Sequence, residues 1–233
     1  MILRSKVNGS HYRGVVFDLD GTLIDSAPTI CTILNEMRLE RGDGPLDLLL
    51  YRKWSSEGGS ILVGNALGID REHEDAAVAE FRRRYAMTIT PPDSLYEGVR
   101  QMLKILQENK KKMAICSNKP EHLCEKVLLE TDLNTFFDMV VGGDTLKVRK
   151  PHGGPLLLAI SALGLSPSEI LYVGDSIIDK QTSEAADVDY AHFSGGYDPQ
   201  IITQQCVYQF ERHEHLAEFL ICASQSIHPD FLV

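Results

Sequence analysis

The sequence lacks the features that would suit it to nucleic acid, to a membrane or to a disulfide scaffold. Asp and Glu number 33 against 23 Lys and Arg, a net charge of -10, and the densest basic runs are only Arg82 to Arg84 and Lys110 to Lys112. A nucleic-acid partner needs a concentrated basic face, so none is expected. No stretch approaches the roughly 20 apolar residues of a membrane span. The opening MILRSKVNGSHYRG has no apolar run of the secretory kind. The five cysteines (Cys31, Cys116, Cys124, Cys206 and Cys222) form no Cys-x-x-Cys pair and leave one odd. That argues against a zinc site or a disulfide framework and for reduced thiols in the cytoplasm. Internal repeats and low-complexity segments are absent as well. What remains is an ordinary globular balance, 43% hydrophobic and 24% charged over 233 residues, enough for one large α/β domain or a core with a smaller second domain.

Short apolar runs closed by turn residues predict buried strands. They are Gly14 to Phe17, Met113 to Cys116, Met139 to Val141 and Ile170 to Val173, with Tyr190 to Phe193 a weaker fifth and Val207 to Phe210 an edge candidate. Helical patterns lie between them. Val99, Met102, Leu103 and Leu106 make one apolar stripe. Leu156, Ile160 and Leu163 make another, with Pro155 at its start and Gly164 as its C-terminal cap. Ser166 to Glu169 has the pattern of a capping box. Alternating strands and helices predict a Rossmann-like parallel sheet covered on both faces. Residues 27–91 break the rhythm: they hold no strand run, and Val78, Phe81 and Tyr85 share one helix face while Arg82 to Arg84 mostly face water. Pro91-Pro92 closes the block. The expectation is a discontinuous core, 1–26 and 92–233, with a helical insertion at 27–91 and a loosely attached tail in the last ten residues.

In an open parallel sheet, ligands bind beyond the carboxyl ends of the strands. Those ends deliver Asp18 and Asp20, then Ser117-Asn118-Lys119, then Gly142-Gly143-Asp144, then Gly174-Asp175-Ser176, with Lys150 and Asp179 nearby in sequence. Three carboxylates at one sheet edge repel each other unless a cation joins them. Hard oxygen ligands with open positions for water and phosphate suit Mg²⁺. Plainer readings stand beside this one. Asp-Gly is a common turn pair, Ser117-Asn118 could cap a helix, Lys150 could be a surface lysine, and Asp179 could be a solvated helix acid. Cys116 reads as a packed thiol, and His213 and His215 as surface residues.

The run Val15-Val16-Phe17-Asp18-Leu19-Asp20-Gly21-Thr22-Leu23-Ile24-Asp25-Ser26 resembles the first motif of the haloacid dehalogenase superfamily. Ile115 to Lys119, Arg149-Lys150-Pro151 and Val173 to Ser176 with Asp179 are similar to its other three motifs, in order. Gly142 to Thr145 through Arg149 to His152 resembles the phosphoglycolate phosphatase branch in particular. The resemblance spans nearly the whole chain. It implies that 27–91 is a cap domain and that the protein hydrolyses a small phosphate monoester with Mg²⁺ through an aspartyl-phosphate. Asp18 would be the nucleophile and Asp20 the general acid and base. Ser117 and the amide of Asn118 would hold phosphoryl oxygens beside the helix start at Pro120, and Lys150 would neutralise charge. Asp18, the carbonyl of Asp20, Asp175 and, directly or from the outer shell, Asp179 would bind the metal.

The aspartate at position 20 favours a phosphatase or a sugar-phosphate phosphomutase over the dehalogenase and phosphonatase branches. A non-catalytic binding module on the same fold is the rival from another class, although nucleophile, acid and lysine are all present. Two departures bear on substrate. The phosphoglycolate branch usually shows Gly-x-Gly-x-Arg in its cap; this chain reads Ser56-Glu57-Gly58-Gly59-Ser60, without the cation that would meet a carboxylate. Asp187 stands where glycine is common after Ala185-Ala186, a change expected to affect a helix end more than chemistry. Trp54, Gly58 and Gly59 fit either a specificity loop or an ordinary helix-helix turn. Oligomeric state is not legible.

Overall fold

A computed structural model describes residues 9–198 and 206–221. Cys222 and the expected tail lie outside the described residues. Six strands form one parallel sheet: β1 (Gly14–Phe17), β2 (Lys112–Cys116), β3 (Met139–Val141), β4 (Ile170–Gly174), β5 (Asp189–Phe193) and β6 (Tyr208–Phe210), in the order β3-β2-β1-β4-β5-β6. All six expected strands are present, with ends shifted by a residue at most. The order reverses at β1, which pairs with β2 on one side and β4 on the other. A crevice for ligands therefore opens between the carboxyl ends of β1 and β4.

Alternate residues of the strands serve the two faces. Val15, Phe17, Met113, Ile115, Leu171 and Val173 join the larger apolar cluster. Val16, Ala114, Cys116, Ile170 and Tyr172 join the smaller one, under α7 (Gly154–Ala162). Both faces are covered, so the central strands read as continuous apolar runs. On the larger face, α5 (Val99–Glu108) buries Val99, Met102, Leu103 and Leu106 completely, each stabilising the fold by roughly 1.5–3 kcal/mol. α6 (Glu121–Glu130) and α9 (His213–Ile221) complete that layer, and α8 (Ile177–Ala186) follows β4. Gly164 takes the left-handed conformation after α7, and Glu169 accepts from the Ser166 amide at 2.9 Å, as the sequence led one to expect. Asp187 is the exposed, left-handed C-cap of α8, so its departure from glycine does fall at a helix end.

Between β1 and β2 lie α1 (Ala27–Glu40), α2 (Leu48–Ser55), α3 (Gly59–Leu67) and α4 (Arg71–Met87). Val78, Phe81 and Tyr85 form the buried face of α4. Its arginines depart from expectation, because only Arg83 is exposed. Arg84 is half-buried between Glu40 and Glu80, both at 2.7 Å, and Arg82 is half-buried without an ion-pair partner among the described residues. Trp54 packs edge-on against Tyr51, with ring centroids 6.1 Å apart.

His213 is the second correction: it is fully buried at the start of α9, while His215 is exposed. Its Nε2 lies 2.9 Å from the Thr22 carbonyl and its Nδ1 3.3 Å from that of Glu97. This pins the loop after β1 to the core. Burial outweighs the two carbonyls and pushes the imidazole down to about 4. The unfolded chain, titrating near 6.5, therefore binds a proton that the native state refuses between those values. This contribution is complete above about pH 6.5 and disappears as pH falls toward 4. From about pH 7 to about pH 5, urea unfolding of His213→Gln should lose roughly 2 kcal/mol less stability than that of the wild type. Equal losses would refute this account of His213.

Candidate functional site

Asp18 follows β1 directly, its amide donating to the Val173 carbonyl at 2.9 Å, and Asp175 follows β4. Neighbouring parallel strands in register thus bring two carboxylates to one crevice. Gly21 makes this approach possible. It has φ +85°, and a Cβ there would collide with the Asp175 carboxylate, so the turn requires glycine. α8 begins only at Ile177, with Asp179 as the third residue of a capping box: Ser176 donates to Asp179 Oδ2 from its amide at 3.1 Å and its hydroxyl at 2.6 Å. Asp179 is completely buried, which removes the reading of a solvated acid. Oxygens of Asp18, Asp175 and Asp179 all lie within 4.8 Å of one another.

Lys150 enters this cluster from the loop before α7, ahead of a cis bond to Pro151. It is 3% exposed, so it is not a surface lysine. Its Nζ lies 2.8 Å from Asp18 Oδ1 and 2.7 Å from Asp179 Oδ1, and it donates to the Tyr172 hydroxyl at 3.1 Å. Tyr172 in turn donates to Asp179 at 2.8 Å. Sequence reasoning missed Tyr172, whose strand position signals only a packed ring. It also gave no role to Thr22 or Tyr197, yet Asp175 accepts from the Thr22 hydroxyl at 3.0 Å and from the Tyr197 amide at 2.7 Å.

Burial opposes every charge here, and partners decide the outcome. For Asp179, Lys150 and the hydroxyls of Ser176 and Tyr172 outweigh burial and hold the carboxyl below its ordinary range. Asp18 is pushed up to about 7 by burial, with Lys150 opposing and Asp179 adding to the rise. Asp175, buried beside Asp179 and Asp18 without a cation, is raised well above the carboxylate range. Lys150 is raised despite burial because Asp179 and Asp18 face it. With all three carboxylates ionised, one ammonium would leave two negative charges in excess. The hard oxygen donors and that excess suit a divalent cation.

The Asp20 carboxylate lies outside this group. Lys119 donates to both its oxygens at 2.9 Å and stands 4.2 Å above the Tyr85 ring of α4. Ser117 follows β2, and its amide donates to the Val141 carbonyl at 2.9 Å. Asn118 donates from Nδ2 to the carbonyls of Lys150 at 3.2 Å and Ser56 at 3.3 Å. The turn holding Gly58 and Gly59 therefore lies against the site loops, Gly58 at φ +91° facing Asn118 and Arg149. Arg52 of α2 adds a 2.7 Å ion pair with Asp25. Asp144, from the third strand end, caps α6 by accepting from the Glu121 amide at 2.8 Å.

Residues 12–187 match the model of the haloacid dehalogenase-like hydrolases. The phosphoglycolate phosphatase of Pseudomonas putida is 38% identical over 200 residues, spanning 81% of this chain and 72% of that protein. That of Cereibacter sphaeroides is 36% identical over 189 residues, spanning 79% and 86% respectively. A haloacid dehalogenase-like family hydrolase from Streptococcus pneumoniae shares the fold, with a TM-score of 0.78, 20% identity and coverage of 90% of this chain and 99% of that one.

If the excess charge governs the cluster, a divalent cation should raise the melting temperature, by about 2.7 kcal/mol of stability at a hundredfold excess over its Kd. Asp175→Asn should abolish that response while leaving the metal-free protein as stable as the wild type or more so. An undiminished response in the variant would reject the cluster as the binding place.

Proposed function

Because the chain belongs to the haloacid dehalogenase-like hydrolase family, we propose that it is a Mg²⁺-dependent phosphatase acting on a small phosphate monoester, with phosphoglycolate the leading candidate. The observation that carries this reading is the Lys150 ammonium held 2.8 Å from Asp18 and 2.7 Å from Asp179, with Asp175 beside them. A nucleophilic carboxylate, a fixed positive charge and a place for a divalent ion are the parts that phosphoryl transfer needs.

Asp18, Asp175 and the carbonyl of Asp20 would hold Mg²⁺, with Asp179, already engaged by Lys150, Tyr172 and Ser176, as an outer ligand. When bound, the ion would neutralise negative charge on the phosphoryl group. An Asp18 oxygen attacks phosphorus, the ester P–O bond breaks, and Asp20 gives its proton to the departing alkoxide. Ser117 and the Asn118 amide donate to the equatorial oxygens, while Lys150 offsets the charge shared between Asp18 and the phosphoryl group. In the second step Asp20 takes a proton from water, the water oxygen attacks phosphorus, and the Asp18 carboxylate leaves. Lys119 must release one Asp20 oxygen before that oxygen can carry the proton. Helices α1–α4 act as a cap that excludes water, a role supported by the Asn118 to Ser56 and Arg52 to Asp25 links across the boundary.

Phosphate release from a panel of monoesters tests the proposal. Wild-type protein with Mg²⁺ should turn over phosphoglycolate, a chelator should stop it, and Asp18→Asn should lose at least about 10⁴-fold in kcat. Full activity in chelator, or unchanged turnover by Asp18→Asn, would sink the mechanism.

A further inference from the structure

Tyr172 sits in the middle of β4 and is completely buried. Its ring shares the smaller apolar cluster with Val16, Cys116 and Tyr190, which accounts for the ring and not for the hydroxyl. The side chain reaches across β1, since its hydroxyl comes within 3.3 Å of the Cys116 carbonyl at the end of β2, two strands away. There it meets two site residues at once. It accepts from Lys150 Nζ at 3.1 Å and donates to Asp179 Oδ1 at 2.8 Å. Lys150 donates to that same Asp179 oxygen at 2.7 Å, so the three groups close a triangle of hydrogen bonds.

Asp179 is the fixed corner of that triangle. Its other oxygen accepts from the Ser176 amide and hydroxyl, so the carboxylate takes four donors in all, about as many as its lone pairs accommodate. A lysine ammonium carries three protons on a tetrahedral nitrogen. The bonds to Asp179 and Tyr172 use two of them and thereby fix the direction of the third. Asp18 Oδ1 lies 2.8 Å from Nζ, yet among the described residues it accepts no aligned hydrogen bond. The third proton is thus left over for a group that arrives beside Asp18. Held by Asp179 alone, the ammonium would still turn about that one bond. We infer that Tyr172 is a positioning residue: its hydroxyl arrests the Lys150 ammonium and keeps one N–H available, in a fixed direction, for a phosphoryl oxygen beside Asp18. This rests on the phosphatase reading and adds to it a residue that acts only through Lys150 and Asp179.

Tyr172→Phe keeps the ring and removes only the hydroxyl, so the apolar packing is retained and the variant should fold. Its kcat should fall roughly 10- to 100-fold while KM changes by less than about 3-fold, because the charge needed in the transition state is displaced and the binding groups are not. A merely structural role would lower the yield of folded enzyme and leave the kcat of the folded fraction alone. An unchanged kcat, or a loss carried by KM, would overturn the inference. NMR of the lysine ammonium groups in the metal-free protein separates this from failure of the phosphatase reading, since it needs no turnover. Lys150, identified by the resonance that Lys150→Arg loses, should give a slowly exchanging ammonium signal in the wild type. That signal should broaden or vanish in Tyr172→Phe. Its absence from the wild type, or its persistence unchanged in the variant, would overturn the role of Tyr172 whatever the protein catalyses.

Discussion

A lysine ammonium buried to 3% exposure has given up nearly all its water, and the structure around it follows from that cost. Lys150 is held by Asp18, Asp179 and the Tyr172 hydroxyl. They come from the end of β1, the first turn of α8 and the middle of β4. The two carboxylates need the ammonium as much as it needs them, which is why Asp179 stays ionised in a fully buried position. The balance is incomplete, since Asp175 adds a third carboxylate and no second ammonium. Asp18 and Asp175 are consequently pushed up by burial and by their neighbours. The three carboxylates together could hold a metal ion.

Sheet topology makes such crowding possible. β1 lies between β2 and β4 because the chain crosses to one side before residue 150 and to the other after it. The two strands that flank the reversal then present their carboxyl ends side by side, and backbone pairing sets their register. The helices inserted between β1 and β2 are tied to the same loops. Ser56 accepts from Asn118, Arg52 meets Asp25, and Tyr85 lies under Lys119. Motion of those helices would be felt directly at Asp20 and Asn118, because the polar links run into the residues beside the crevice.

The sheet was legible because its strands are buried on both faces and so are written as short apolar runs with turn residues at each end. The carboxylates were legible for the same reason, since a polar residue stops an apolar run where the strand leaves the core. Residues whose roles depend on neighbours distant in sequence were not. His213 gave no periodic signal and is nonetheless the buried partner of Thr22, 191 positions away. Tyr172 lies inside a strand, where its ring explains its presence and its hydroxyl gives no sign. Arg82 was read with Arg83 and Arg84 as one basic run, yet successive helix positions point about 100° apart. One of the three faces solvent, one meets two glutamates and one lines a cavity.

Matched and unmatched charges are distributed unevenly around the crevice. Lys150 is matched by Asp18 and Asp179, Lys119 by Asp20, and Arg52 by Asp25. Among the described residues, the Asp175 carboxylate and the Arg82 guanidinium near the crevice have no counter-charge of their own. They cannot neutralise each other, because Asp175 belongs to the buried acidic cluster and Arg82 to a separate cavity beyond Asp20. The acidic cluster is therefore the part that could hold a metal ion, and the guanidinium does nothing to offset its charge.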